Sequence, residues 1–338
     1  MRYGYWMPVF GGWLRNVEDE GMEASFDYNK RLAQRAEQIG FDLTLIAELY
    51  LNDVKGAAAP SLDAWSTAAA LAAVTETQEL MVAVRPNFHH PGPFAKAAAN
   101  IDRIANGRLA LNVVSSWWAR EAQMFGLTFD QHDDRYGRTS EWLDMVDGLW
   151  SGEAFSYDGK IYSADEARVS PQSVRKPPVY AGGESEAAKT LIAQKCDAYV
   201  MHGDDPDVMA PKIADMADRR EKAGRDPLTF GMAGYVIVRD SEAEAQAELD
   251  RILEMKDVPP GYDNFEQWLA GTQLEREMKI REYAVTNRGL RPNLIGTPEQ
   301  VKQRIADFEG AGVDLLLLQF SPQIEEMERF AAQVIGHA

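Results

Sequence analysis

The chain reads as an α/β protein of the (β/α)8 barrel type, a TIM barrel with insertions, and three observations lead there. Short apolar runs alternate with amphipathic segments from one end to the other, which is the pattern of parallel βα units. Eight such runs, each followed by a helical pattern, fit into 338 residues, a length that suits one barrel. No glycine fingerprint of the GxGxxG type follows the first run, which argues against an open dinucleotide-binding sheet.

The expected strands are Tyr3 to Val9, Phe41 to Ile46, Leu80 to Val84, Leu109 to Val114, Pro178 to Ala181, Ala198 to Met201, Phe230 to Val238 and Val313 to Leu318. The fourth is apolar on both faces, as a strand buried between helices and a barrel interior must be. It is preceded by Asn106-Gly107, where glycine takes the left-handed conformation that ends a helix. Other helices announce their starts. Thr297-Pro298-Glu299-Gln300 and Ser241 with Glu244 carry capping boxes, and Asp205-Pro206 and Ser321-Pro322 place proline at a first helical position. The Ala-rich stretch from Ala57 to Val74 suits close helix packing. Two insertions interrupt the rhythm. Phe155 to Tyr162 alternates around Asp158-Gly159 and predicts a hairpin. Residues 257–292, rich in Gly, Pro, Arg and aromatics, read as a lid or as a plain surface loop. Residues 1–338 form one barrel domain in this reading.

Composition narrows the function classes. A formal charge of -18 and a pI near 4.8 repel phosphodiester backbones and anionic lipid, so nucleic-acid and membrane partners are not expected. The 45% of hydrophobic residues supply a large core. One cysteine, Cys196, forms no internal disulfide and reads as a small buried hydrophobe, which suits a reducing cytoplasm. The N-terminus has no signal-peptide pattern, and no apolar run is long enough to span a bilayer. There is no HExxH, CxxC or GxSxG, so neither a metal site nor a serine hydrolase is expected.

Barrels place their chemistry at the C-terminal ends of strands, and several such ends here are polar. Asn112, Ser115 and Ser116 offer hydrogen bonds after the fourth strand, with Trp117 and Trp118 beside them as flat apolar surface or as packing. His132-Asp-Asp-Arg135-Tyr136 follows. Val179-Tyr-Ala-Gly182-Gly183-Glu184-Ser185 runs from a strand through two glycines into a helix. Exposed N–H groups, the helix dipole and a hydroxyl there make a phosphate cradle, or else a tight turn capped by Ser185. Trp6 and Trp13 suit an apolar pocket. His89, His90, His202 and Tyr235 stand at strand ends as candidates for handling protons.

Taken together, these residues resemble the luciferase-like flavin monooxygenases, in particular the two-component group containing dimethyl sulfone, alkanesulfonate and pyrimidine monooxygenases. The most specific parts are Ile101 to Ser115, His132 to Tyr136, Ala181 to Ser185 and Asn293 to Pro298. The resemblance implies FMN, supplied reduced by a separate NAD(P)H-dependent FMN reductase, with O2 as co-substrate. It assigns Asn112, Ser115, Ser116, Tyr136, Gly182, Gly183, Glu184 and Ser185 to the cofactor. It also implies a homodimer or homotetramer. Alkanesulfonate enzymes carry a Gly-x-Arg-x-His arrangement on the seventh strand, whereas this chain has Gly231-Met-Ala233-Gly-Tyr235. A lost guanidinium removes about 1.5–3 kcal/mol of charge-assisted binding to a sulfonate. A small neutral sulfone suits a pocket containing Trp6, Phe88 and Phe320, while Arg85 and Arg291 keep anion binding open. The expectation is oxygenative C–S cleavage of a small organosulfur compound. The alternatives are an oxygenase of an amide or heterocycle and a deazaflavin F420 oxidoreductase.

Overall fold

The computed structural model describes residues 1–255, 259–263, 265 and 280–336. Its elements, in order, are β1 (Arg2–Met7), α1 (Phe26–Gln38), β2 (Leu43–Ile46), α2 (Ala64–Ala72), β3 (Glu79–Val84), α3 (Pro91–Ile104), β4 (Leu109–Val113), α4 (Ala119–Met124) and α5 (His132–Leu149). Then come β5 (Phe155–Asp158), β6 (Ser163–Ala167), β7 (Val179–Ala181), α6 (Glu186–Lys195), β8 (Ala198–His202), α7 (Pro206–Lys222), β9 (Thr229–Val238) and α8 (Glu242–Leu253). β10 (Leu294–Gly296), α9 (Pro298–Gly310), β11 (Leu315–Gln319) and α10 (Gln323–Phe330) complete the chain.

All eight expected strands are present and pair in parallel in the order β9-β11-β1-β2-β3-β4-β7-β8, and β8 pairs with β9 to close the barrel. Leu43, Leu45, Met81, Ala110, Leu315 and Leu317 form an apolar cluster separate from the one joining strands to helices, and fill the interior. Gly4 makes that filling possible: a Cβ there would lie 2.8 Å from Leu43 Cγ and 2.9 Å from Leu317 Cδ2. The cap at the end of α3 has the expected hand, with Gly107 at φ 82° and Asn106 at 52°.

Three expectations need correction. The hairpin forms, but Asp158 pairs with Ser163, so residues 159–162 are its loop and the second strand begins where the predicted segment ended. β10 was not foreseen. Its three residues, Leu294–Gly296, pair with the upper part of β9, and a segment that short carries no periodicity. Pro322 occupies the N-cap position of α10 rather than the first helical one, and the Ser321-Pro322 bond is cis. Both capping boxes are present.

The expected lid at 257–292 falls in part outside the described residues. Of its described part, Leu14 bridges Val285, and Arg15 N–H donates to Ala284 O at 2.9 Å. The Arg15 guanidinium donates to Tyr283 O and Gly261 O at 2.9 and 2.8 Å and lies 3.8 Å above the Tyr283 ring. One buried arginine thus joins residues 259–263 and 280–292 of the insertion to the loop after β1. No helix among the described residues is long and apolar enough to cross a membrane.

Candidate active site

A cavity of about 300 Å³ opens at the C-terminal ends of the strands. Trp6, on β1, and Gly182, after β7, both line it. These strands are four apart in a ring of eight, so the two residues stand on opposite walls.

The β7 wall is polar. Tyr136 and Ser185 are hydrogen-bonded through their side chains, and the Ser185 hydroxyl accepts from Ala188 N–H at the start of α6. Gly183, at φ 149°, leaves the space that a side chain would fill: a Cβ there would lie 2.5 Å from Ala188 Cβ and 3.1 Å from Tyr136 Oη. A glycine hollow, two hydroxyls and a helix N-terminus are the donors a phosphate group needs. Burial raises the pKa of the Tyr136 phenol, which keeps it a neutral donor. Glu184 would repel an anion, but it is paired with Arg288 Nη2 at 2.8 Å and lies 3.7 Å from Lys212 Nζ.

The β4 wall carries Asn112 and the turn from Val114 to Trp117. The Ser115 hydroxyl contacts Thr139 Oγ1 at 2.9 Å. Ser116 has φ 61°, donates to Asn87, and accepts from Arg135 Nη1 at 2.8 Å through its carbonyl. A left-handed non-glycine residue costs about 1–3 kcal/mol, which the contacts to Asn87 and Arg135 offset here. Trp117 and Trp118 stack at 5.4 Å with ring planes 3° apart; Trp117 lines the cavity and Trp118 is buried.

The opposite wall is aromatic. Trp6, Phe10 and Trp13 meet edge to face, with centroids 6.3 and 6.5 Å apart. His202 closes the β8 side. Burial, reinforced by Arg288, lowers its pKa to about 3, so the ring is neutral, and Nδ1 donates to Asn287 O at 3.2 Å.

All eight residues expected at the cofactor, with Trp6, Arg85 and His202, line this one cavity. Six other candidates lie outside its wall. Phe320 is fully buried, 6.0 Å from Phe41 and 5.5 Å from Phe330. Tyr235 stands two residues beyond Ala233, which does line the cavity. There β9 passes from β11 to β10, and the ring joins a separate cluster with Leu14 and Val285. Phe88 stacks on Tyr50 at 5.0 Å. His90 caps α3 and meets Tyr162 edge-on. His89 stands behind Glu48. Arg291 is held by Glu282 at 2.6 Å and lies 3.6 Å from Asp204.

Glu48, Arg15, Asp53 and Arg288 line the cavity and were missed. Glu48 was within reach of the rule that found Asn112, because it follows β2 by two residues. The other three arrive on loops, where no periodicity places them.

A sequence profile of the family described as luciferase-like monooxygenase matches residues 1–315. Two relatives, both named FMNH2-dependent dimethylsulfone monooxygenase, are similar over 99% of this chain. That of Pseudomonas fluorescens (strain Pf0-1) is 31% identical with 93% of its length covered, and that of Pseudomonas putida is 30% identical with 94% covered. The crystal structure of a long-chain alkane monooxygenase shares the fold with a TM-score of 0.84 at 19% identity, covering 99% of this chain and 90% of that one. The chain belongs to the luciferase-like monooxygenase family.

Proposed function

We propose that this protein is a monooxygenase that uses reduced FMN and O2 to oxygenate a small neutral organosulfur compound, best matched by a dialkyl sulfone, with cleavage of a C–S bond. The observation that carries the neutral substrate is the state of the cavity's cations. Arg85 is paired with Glu121 and Glu48, Arg15 with Asp53, and Arg288 with Glu184, while Arg135 donates to a carbonyl. A sulfonate would have to compete with these carboxylates for the guanidiniums of Arg85, Arg15 and Arg288, whereas a sulfone needs only an apolar wall and hydrogen-bond donors. The names of the two Pseudomonas relatives point the same way.

The glycine hollow, Tyr136, Ser185 and the α6 N-terminus would hold the FMN phosphate, and Asn112 and the Ser115-Ser116 turn would face the ring and ribityl chain. Reduced FMN supplies the two electrons that activate O2. Trp6, Phe10 and Trp13 exclude water from the wall opposite the phosphate end, which protects a water-sensitive oxygen transfer. Neutral His202 adds no positive charge. Reduced FMN comes from a separate NAD(P)H-dependent reductase in this reading, and the enzyme works in the cytoplasm as a homodimer or homotetramer.

The test is turnover with an FMN reductase, NADH, O2 and a panel of dimethyl sulfone, alkanesulfonates and uracil. Sulfinate and aldehyde from the sulfone, with kcat/KM at least about tenfold above that for methanesulfonate, is the expected result. Preferential release of sulfite from a sulfonate, or products from uracil alone, would overturn the reading.

A further inference from the structure

Glu48 lines the cavity with a side chain only 2% exposed, and its two oxygens face different partners. Oε2 accepts the Arg85 backbone N–H at 2.9 Å and lies 3.6 Å from Arg85 Nε. Oε1 lies 2.5 Å from Nε2 of His89. His89 is outside the cavity wall and its side chain is 21% exposed, with its ring edge-on to Trp65 and Phe94. Arg85 is also bound to Glu121, which accepts the Tyr50 N–H at 2.6 Å. Two buried carboxylates therefore share one guanidinium, and the His89 imidazole is a further hydrogen-bond partner of Glu48. A carboxylate at the cavity, hydrogen-bonded to an imidazole that reaches outward, is a two-member proton path.

We propose that Glu48 takes up the proton released in the cavity during C–S cleavage and that His89 passes it to solvent. This rests on the sulfone reading above. Written with neutral reduced FMN, a dialkyl sulfone and O2 give oxidised FMN, water, an aldehyde, a sulfinate anion and one proton, so one proton must leave the cavity per turnover. In the cleavage step the hydroxyl on the oxygenated carbon loses its proton to Glu48. The O–H pair becomes the carbonyl π bond, and the C–S pair departs on sulfur as sulfinate. With His89 as the Nδ1–H tautomer, whose Nε2 lone pair faces Oε1, the proton then moves from Glu48 to Nε2, and the imidazolium releases its Nδ1 proton to water. Glu48 is the proton acceptor, and His89 acts through it.

The experiment pairs E48Q and H89A. E48Q keeps an oxygen to accept the Arg85 N–H and keeps the side-chain size. It is expected to slow sulfinate release in a single turnover by about 100-fold or more, with reduced-FMN affinity within threefold of the wild type. H89A is expected to slow release and to regain rate when imidazole is added, which a packing role would not allow. With five histidines in the chain, 15N NMR of the flavin-free protein resolves His89, whose Nε2 resonance is expected to move in E48Q. A wild-type rate in E48Q, equal losses of rate and flavin affinity, or no imidazole rescue would overturn the proposal. An unchanged His89 resonance in E48Q would overturn the relay whatever the substrate, whereas absence of sulfinate from the wild type would overturn the sulfone reading.

Discussion

Replacing Tyr136 with Phe isolates the phosphate end of the proposed flavin site. The phenol is bonded to Ser185, sits 3.1 Å from where a Gly183 Cβ would be, and is kept protonated by burial. The substitution removes one neutral donor and leaves Ser185 capping α6 through Ala188 N–H, so folding should change little. A hydrogen bond to a charged phosphate contributes about 1.5–3 kcal/mol, and about 1.4 kcal/mol is tenfold in affinity. Affinity for reduced FMN should fall about 10- to 150-fold. Reduced riboflavin lacks the phosphate and should bind wild type and variant alike. Anaerobic titration with both flavins, followed by protein fluorescence, checks this. Equal weakening for both flavins would place Tyr136 elsewhere on the flavin, and unchanged FMN affinity would remove the phosphate from this loop.

Other substitutions probe other levels of the account. Gly183→Ala puts a Cβ 2.5 Å from Ala188 Cβ at φ 149°; strain of about 1–3 kcal/mol should weaken FMN about 5- to 150-fold in the same titration. Gly4→Ala drives a methyl against Leu43 and Leu317 inside the barrel and should cost about 1–3 kcal/mol in urea unfolding, with the flavin site unaltered. His202, with its pKa lowered to about 3 by burial and Arg288, binds fewer protons folded than unfolded below its ordinary value near 6.5. Stability should therefore fall as pH drops from about 6.5 toward 3, by about 3 kcal/mol at pH 4.5 for this residue. His202→Gln should flatten that part of the stability profile, which unfolding midpoints between pH 7 and 4.5 would show.

The barrel was legible because each of its strands is a buried apolar run and several helix starts, such as Ser241 and Thr297, carry local capping chemistry. The polar β7 and β4 strand ends were legible for the same reason: a hydrogen-bonding residue at the exit of an apolar strand stands out, as Asn112 and the Gly182-Gly183 turn do. What stayed hidden depends on long-range pairing. Tyr235 and Ala233 share a face of β9, yet Tyr235 packs with Leu14 and Val285 under the turn at Gly289, whose carbonyl accepts the Tyr235 N–H at 2.8 Å. Arg85 resembled a free cation until the structure placed Glu48 and Glu121 against it. Phe320 is an aromatic after a strand, like Trp6 within one, and it is buried against Phe330 at the end of α10 and against Phe41, which lies far away in sequence.

The central claim is that reduced FMN at this cavity drives O2-dependent C–S cleavage of a neutral sulfone. It is tested most directly by one turnover without a reductase. Enzyme, one equivalent of reduced FMN and dimethyl sulfone are combined anaerobically, mixed with oxygenated buffer, and quenched for product analysis. The account predicts methanesulfinate and formaldehyde in amounts approaching the flavin supplied, and none without O2. Flavin oxidation with no sulfinate, or sulfinate formed without oxygen, would contradict it.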